Sequence, residues 1–231
     1  MKRNRWLIAL SAVGIHICIG SVYAWSVLTK PVMAAMGLSL GQTTWAFSIA
    51  ILFLGLSAGF LGGFVERMGP SRSGLLSACF FALGMLGTGY AISVKSTPLL
   101  YLFYGFIGGI GLGTGYITPV STLVKWFPRH RGFATGMAIM GFGFAALIAG
   151  PVMQHLTAAY GLVNNFLIMG CVYFVIMCAS ASYLRPPRKG EIKQSLEDVL
   201  KEEAARGNKR TILGPQMTRR EALHTWKFYA L

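Results

Sequence analysis

Six stretches of this chain carry no charged side chain, at about 6–28, 44–65, 74–94, 99–124, 132–157 and 163–184. Each is long enough for an α-helix to cross the roughly 30 Å of a bilayer's hydrocarbon, which takes about twenty apolar residues. The charged residues are gathered between these runs, and they alternate. Lys2, Arg3 and Arg5 precede the first run, Arg67 and Arg72 follow the second, Lys125, Arg129 and Arg131 follow the fourth, and Arg185, Arg188 and Lys189 follow the sixth. The other connections hold Lys30, Lys95 and, between 158 and 165, no Lys or Arg. Cation-rich connections stay on the cytoplasmic side. The pattern therefore predicts an all-α polytopic membrane protein: six transmembrane helices over 1–184, a cytoplasmic N-terminus, and residence in the cell's inner membrane.

Composition sharpens this. Hydrophobic residues make up 54% and charged residues 12%, with a formal net charge of +14. A basic chain raises the possibility of nucleic acid, but that needs cations gathered on one folded face. Here they sit between spanning runs, so the partner expected is the lipid bilayer and not nucleic acid. The basic start and apolar core of the first run resemble a signal peptide, but the run continues past Ala24 and is expected to stay as a helix. Cys18, Cys79, Cys171 and Cys178 all fall inside the runs without paired spacing, so neither a disulfide framework nor a metal site is expected. "GLSAG" at 55–59 has the nucleophile-elbow pattern, yet it lies mid-run, and Glu66 is the only acid in the first 190 residues. "GGIGLGTG" at 108–115 does not spell the dinucleotide fingerprint. No enzyme and no cofactor are expected.

Beyond residue 190 the character changes. "SLEDVLKEEAARGN" opens on Ser195 with Asp198 three residues on and closes on Gly207 and Asn208, which predicts a short amphipathic helix within a cytoplasmic linker over 185–217. Thr218 and Glu221 form a second capping pattern ahead of "TWKFYAL", read as the start of a seventh transmembrane helix over 218–231 that is cut off after one or two turns. Within the runs, glycines recur every fourth residue: Gly55, Gly59 and Gly63, then Gly105, Gly109 and Gly113, then Gly132 and Gly136. Such a row gives a helix a bare stripe on which another backbone lies closely.

The connection after the second run reads "GGFVERMGPSRSG". Gly62, Glu66, Arg67, Gly69 and Arg72 resemble the inter-helix signature of the major facilitator superfamily, with Glu at the position where Asp is usual. Gly69 and Pro70 are expected to make a five-to-eight-residue turn, and Glu66 to offer charge-assisted bonds to Arg67, Arg72 or a neighbouring helix N-terminus as a cytoplasmic latch. "AGP" at 149–151 places Gly150 and Pro151 as in a further motif of that superfamily, with Ala146 where the motif's first glycine would stand. "GSVYAWSVLTKPV" at 20–32 and "GTGYITPVSTLVKWFPRHRGFATGMAIMGFG" at 113–143 resemble its oxalate/formate antiporter branch, whose members handle small carboxylates. In that branch the Lys125–Arg131 cluster is the hinge loop between the fourth and fifth helices, facing the cytoplasm and anionic headgroups.

The resemblance implies two three-helix inverted repeats, with helices one and four as counterparts. Gly20-Ser-Val-Tyr23 and Gly113-Thr-Gly-Tyr116 each place a tyrosine seventeen residues after a run begins. On opposed helices the two tyrosines are expected on opposite sides of the midplane, each on the order of 8 Å from it, bracketing a carboxylate whose oxygens their hydroxyls would meet. Packing or interfacial tyrosines are the alternative. His16 shares their helix face with Gly20 and Tyr23, either as a substrate or proton group or as a neutral histidine bonded to a neighbouring helix. Trp25, Gln42 and Trp45 are expected at the outer boundary. No Lys or Arg falls within the six runs. The cation that a buried carboxylate needs is therefore expected from a second six-helix half beyond Leu231. The function implied is alternating-access transport of a small carboxylate anion. Export of an unrelated solute and a non-transporting sensory half are the alternatives.

Overall fold

The computed structural model describes residues 4–187, the Arg129 side chain excepted. The linker helix, both later capping patterns and the seventh helix expected from the sequence lie outside the described residues. The described chain forms six long helices: α1 (Arg5–Met36), α2 (Leu40–Met68), α3 (Pro70–Ser93), α4 (Thr97–Trp126), α5 (Arg131–Tyr160) and α6 (Leu162–Tyr183). All six have the length and apolarity to cross a membrane, and the chain is a multi-pass membrane protein.

Local chemistry explains the joints. Asn4 caps α1, its side chain accepting from the Trp6 N–H at 2.9 Å. Ser39 and Gln42 cap α2 reciprocally: the Ser39 N–H donates to Gln42 Oε1 at 2.9 Å and the Gln42 N–H to Ser39 Oγ at 3.3 Å. Between α2 and α3 a single residue, Gly69, stands at φ +82°. The turn is thus much shorter than expected. Glycine meets no steric penalty at that angle, and Pro70 opens α3 where an N–H is not needed. Gly161, at φ +85°, makes the same one-residue joint between α5 and α6.

Two helices are irregular, α1 near its middle and α4 in its first third. Over Ser21–Ala24 α1 tightens to a 3₁₀ turn, with the Ser21 hydroxyl donating to the Cys18 carbonyl at 2.6 Å. Over Tyr101–Ile107 α4 widens to a π-helix. Such segments mark sites where a helix is bent to a purpose, and here the two meet: the Trp25 and Tyr104 rings lie 4.2 Å apart. Trp25 is therefore 4% exposed, inside the bundle and not in an outer aromatic belt. The 3₁₀ turn rotates it inward. Trp45, at 62% exposed, does stand outside. After the turn α1 runs on through Lys30 and Pro31 to Met36, two turns past the uncharged run, because Leu28, Val32 and Met36 recur every fourth residue and all bury.

The helices pair as α3 with α6, α2 and α3 with α4, and α1 with α5, α6 and α4, with lesser contacts of α1 with α2 and α3, α2 with α3, α4 with α5 and α5 with α6. Exchanging α1 with α4, α2 with α5 and α3 with α6 turns each of these pairings, the slight α1–α3 contact excepted, into another on the list or into itself. The inverted repeat is thus visible in the packing. Lipid tails are as apolar as leucine, so such a bundle is held by close van der Waals fit, and small residues do the fitting. Ala12, Ala46, Ala50, Ala78, Ala138 and Ala181 are wholly buried. The buried hydroxyls of Thr88, Thr114, Thr118 and Thr122 donate to carbonyls of their own helices, whereas Trp25 Nε1 and the Asn165 side-chain amide are buried without a partner among the described residues.

Candidate functional site

The first step is a crossing of two backbones. A Cβ at Gly20 of α1 would collide with the Phe142 carbonyl and stand 2.7 Å from Ala145 Cβ of α5. A Cβ at Gly141 would stand 3.1 Å from Val13 and 3.5 Å from the His16 Cβ. Glycine at both positions lets α5 lie directly on α1. That contact carries Phe142 into a cluster of rings from three helices. Its ring centroid is 5.2 Å from Tyr23, 5.3 Å from Tyr116 and 5.9 Å from His16. His16 in turn stacks on Tyr116, with centroids 5.5 Å apart and planes at 21°.

The three residues expected at the site are thus brought together, though not in the expected way. Tyr23 and Tyr116 flank one phenylalanine ring instead of standing far apart across the midplane. The charge-free runs misplace the helix centres: with α1 reaching Met36 and α4 starting at Thr97, Tyr23 lies within about one turn of the middle of α1 and Tyr116 within about one and a half turns of the middle of α4. Tyr23 is 44% exposed, Tyr116 is half-buried, and among the described residues neither hydroxyl bonds to another group of the chain. His16 is wholly buried, so it stands behind the tyrosines. Its Nδ1 lies 2.6 Å from the Ala138 carbonyl oxygen of α5 and its Nε2 lies 3.2 Å from the Tyr116 carbonyl oxygen of α4. Phe142 was not singled out in the sequence. Its signal was the "GF" at 141–142, a bulky ring directly after a glycine on which a neighbouring helix lies.

At the other candidate region, Glu66 pairs with neither Arg67 nor Arg72. Among the described residues its ion pair is with Lys125 of α4, at 3.5 Å, with both side chains about half exposed. The reason is geometric: α2 continues as helix through Glu66 and Arg67, so Arg67 points to another face, while α4 lies alongside. Val65, Glu66, Ser73, Thr118, Thr122 and Lys125 line a small pocket there, where Thr118 Oγ1 and Ser73 Oγ lie 3.0 Å apart. The hinge segment is anchored by its aromatics. Trp126 Nε1 donates to the Arg185 carbonyl at 2.7 Å, and Phe127 packs against Trp6 at 5.6 Å. Arg129 lies in the turn Pro128–His130, and Arg131, exposed, opens α5. Gly62 approaches Ile117 of α4 and Gly150 approaches Val27 of α1, each at 3.6 Å from a would-be Cβ; Pro151 lies exposed inside α5.

Six membrane helices in two inverted triplets, with an aromatic cluster where α1, α4 and α5 meet, define half of a polytopic transporter fold. Comparison with known proteins gives the family: residues 8–230 match the Major Facilitator Superfamily model, and the chain belongs to that superfamily of membrane transporters. It is 28% identical to the uncharacterized MFS-type transporter YhjX of Escherichia coli (strain K12), over 84% of this chain and 48% of that protein. It is also 28% identical to the oxalate:formate antiporter of Oxalobacter formigenes, over 83% of this chain and 45% of that one. With human monocarboxylate transporter 14 the identity is again 28%, over 80% and 36%. The chain spans about half the length, or less, of these curated relatives.

Proposed function

We propose that this chain is the N-terminal half of a transporter that moves a small organic carboxylate across the cell's inner membrane by alternating access, with its N-terminus in the cytoplasm. A linker over 185–217 and a seventh helix starting at 218 would lead into the second half. The observation that carries the reading is the pair of unspent tyrosine hydroxyls, Tyr23 and Tyr116, held either side of Phe142. A phenol donates one strong hydrogen bond, and its ring walls a narrow cavity. Two such donors fit a carboxylate's paired oxygens. The names of two relatives, an oxalate:formate antiporter and a monocarboxylate transporter, agree in substrate chemistry. In this reading Gly62, Glu66, Arg67, Gly69, Arg72, Lys125, Arg129, Arg131, Gly150 and Pro151 belong to the cytoplasmic gate and the moving helices, and the second half contributes a cation.

The test is Tyr23→Phe and Tyr116→Phe in the full-length protein, titrated with oxalate, formate, lactate and pyruvate. A hydrogen bond to a charged acceptor is worth about 1.5–3 kcal/mol, so each variant should bind the preferred anion roughly ten- to a hundredfold more weakly. The rings remain, so melting should be nearly unchanged. Unaltered affinity in both variants returns the tyrosines to a packing role.

A further inference from the structure

We propose that His16 is a proton-binding site whose imidazolium supplies positive charge to the carboxylate held by Tyr23 and Tyr116. It rests on the carboxylate reading above for the identity of the anion, but not for the proton itself.

The observation is that both ring nitrogens of His16 face backbone carbonyl oxygens, Nδ1 at 2.6 Å from Ala138 and Nε2 at 3.2 Å from Tyr116. A carbonyl oxygen only accepts. A neutral imidazole carries one N–H and one lone pair, so it can satisfy one of these oxygens and must point its lone pair at the other. The shorter contact marks Nδ1 as the standing donor. Nε2 then presents a lone pair to an oxygen within hydrogen-bond distance. A proton taken from solvent onto that lone pair turns the mismatch into a second N–H···O bond, and charge-assisted bonds of this kind are the stronger ones. The cage is built for the two-donor form of the ring.

Surroundings make this proton the relevant charge. Among the described residues no Asp, Glu, Lys or Arg is buried, and His16 is the one buried basic side chain. Arg5 and Lys30 of α1, Lys125 of α4, and Arg131 and His155 of α5 all lie seven or more residues along the chain from His16 or the residues that touch it. Apart from these, the titratable groups on the helices around it are Tyr116 of α4, stacked on its ring, Tyr101 and Tyr104 of α4, Tyr160 of α5, Cys171, Tyr173, Cys178 and Tyr183 of α6, and Cys18 and Tyr23 of α1 itself. α5 presents the Ala138 carbonyl and the Phe142 ring. None of these is ordinarily charged near neutral pH. An imidazolium isolated inside a span is costly; one with a carboxylate beyond the Tyr116 ring is not isolated. Each charge therefore favours the other, and by linkage the proton tightens the anion as much as the anion tightens the proton. His16, wholly buried, acts through the charge behind the tyrosines and does not touch substrate.

The sign follows. Protonation is favoured at low pH, and small carboxylates stay ionised above about pH 5. Affinity should thus be highest at low pH and fall by up to about tenfold per pH unit once His16 is neutral in the free protein. The experiment uses the full-length protein carrying His130→Gln, His155→Gln and His224→Gln, so that His16 is the remaining histidine of residues 1–231, with histidine labelled in 15N at both ring positions. Any histidine beyond Leu231 is likewise replaced. Nuclear magnetic resonance spectra are recorded from pH 5 to 8.5, with and without lactate or oxalate. We expect a change from one protonated nitrogen to two as pH falls, occurring at higher pH with the anion bound, and uptake of about one proton per anion. His16→Gln should bind the anion more weakly and without that pH dependence, a readout that a packing role would not move. A ring that keeps a single proton across the whole range, anion present, overturns the proposal while leaving the carboxylate reading standing. If no carboxylate binds at any pH the carboxylate reading fails, and the ligand-free spectra still decide the proton: two protonated nitrogens near pH 5 uphold the site and one refutes it.

Discussion

α2 and α4 carry the same glycine pattern and use it in opposite ways. Gly105, Gly109 and Gly113 of α4 are buried against α2: a Cβ at Gly105 would stand 2.6 Å from Ile49, one at Gly109 2.8 Å from the Ala50 carbonyl, and one at Gly113 would strike Ser57 and the Leu54 carbonyl. Gly55, Gly59 and Gly63 of α2, at the same spacing, have nothing within 4 Å of a would-be Cβ. The face that α2 turns to α4 is made by Ala46, Ala50, Phe53 and Ser57, and its glycines point away. The inverted repeat extends the contrast. Gly14 and Gly20 of α1, the counterpart of α4, are also packed tightly, while Gly132, Gly136 and Gly143 of α5, the counterpart of α2, are open and Gly141 alone of that helix is closely packed, on α1. Glycine every fourth residue makes a smooth surface. Which neighbour uses that surface depends on how the helix is rotated, and spacing does not encode that.

The largest expected effect lies on the packed side. Gly113→Ala puts a methyl into Ser57 Oγ and the Leu54 carbonyl, and a backbone carbonyl has no rotamer by which to yield. Overpacking of this kind costs about 1–3 kcal/mol, more than the roughly 1 kcal/mol that alanine gains over glycine in a helix. Thermal melting of the purified protein, followed by size-exclusion fluorescence, should show a clear drop. Melting at or above the parent value would mean that α2 and α4 are not in such close contact in the membrane.

The same contrast explains what could be read from the sequence. Six helices, their order and their membrane character were plain, because a charge inside hydrocarbon is so costly that the uncharged runs mark the spans. Helix ends were less plain: Lys30 and Pro31 looked like a stop, yet the burial of Val32 and Met36 carries α1 past them. At the site, His16, Tyr23 and Tyr116 stood out as polar residues within apolar runs. Phe142 did not, since a phenylalanine in a membrane helix is ordinary until a glycine crossing brings it beside three other rings. Rotation was also what hid the Glu66 partner, because Lys125 is 59 residues away and only the α2–α4 contact makes them neighbours.

On the open side the sign reverses. Gly59→Ala meets nothing within 4 Å, so the methyl costs no packing inside these six helices, and alanine's helix preference remains. Stability should rise by about 0.5–1 kcal/mol, read in the same melting assay. Made together with Gly113→Ala, the two effects should add, since the sites have no partner in common. A loss of stability from Gly59→Ala would show that this stripe is covered by something tightly packed on it.

The smallest expected effect belongs to the ion pair at the end of the same α2–α4 contact. Glu66 and Lys125 are about half exposed and 3.5 Å apart, and pairs so open to water are worth about 0–1 kcal/mol and weaken with salt. Glu66→Gln keeps the shape and removes the charge. Melting should fall by at most about 1 kcal/mol at low ionic strength, and by less at high ionic strength. Labelling of a cysteine placed beside the α1–α4–α5 ring cluster, from the membrane side that bears Glu66, should change by no more than the same factor, about fivefold. That places the strength of the α2–α4 contact in its glycines, with the pair as an addition at the rim. A larger, salt-resistant increase in labelling from the Glu66 side would show instead that Glu66 finds a second and better-buried partner when the transporter closes on that side, which would make the carboxylate the latch and Lys125 its resting contact.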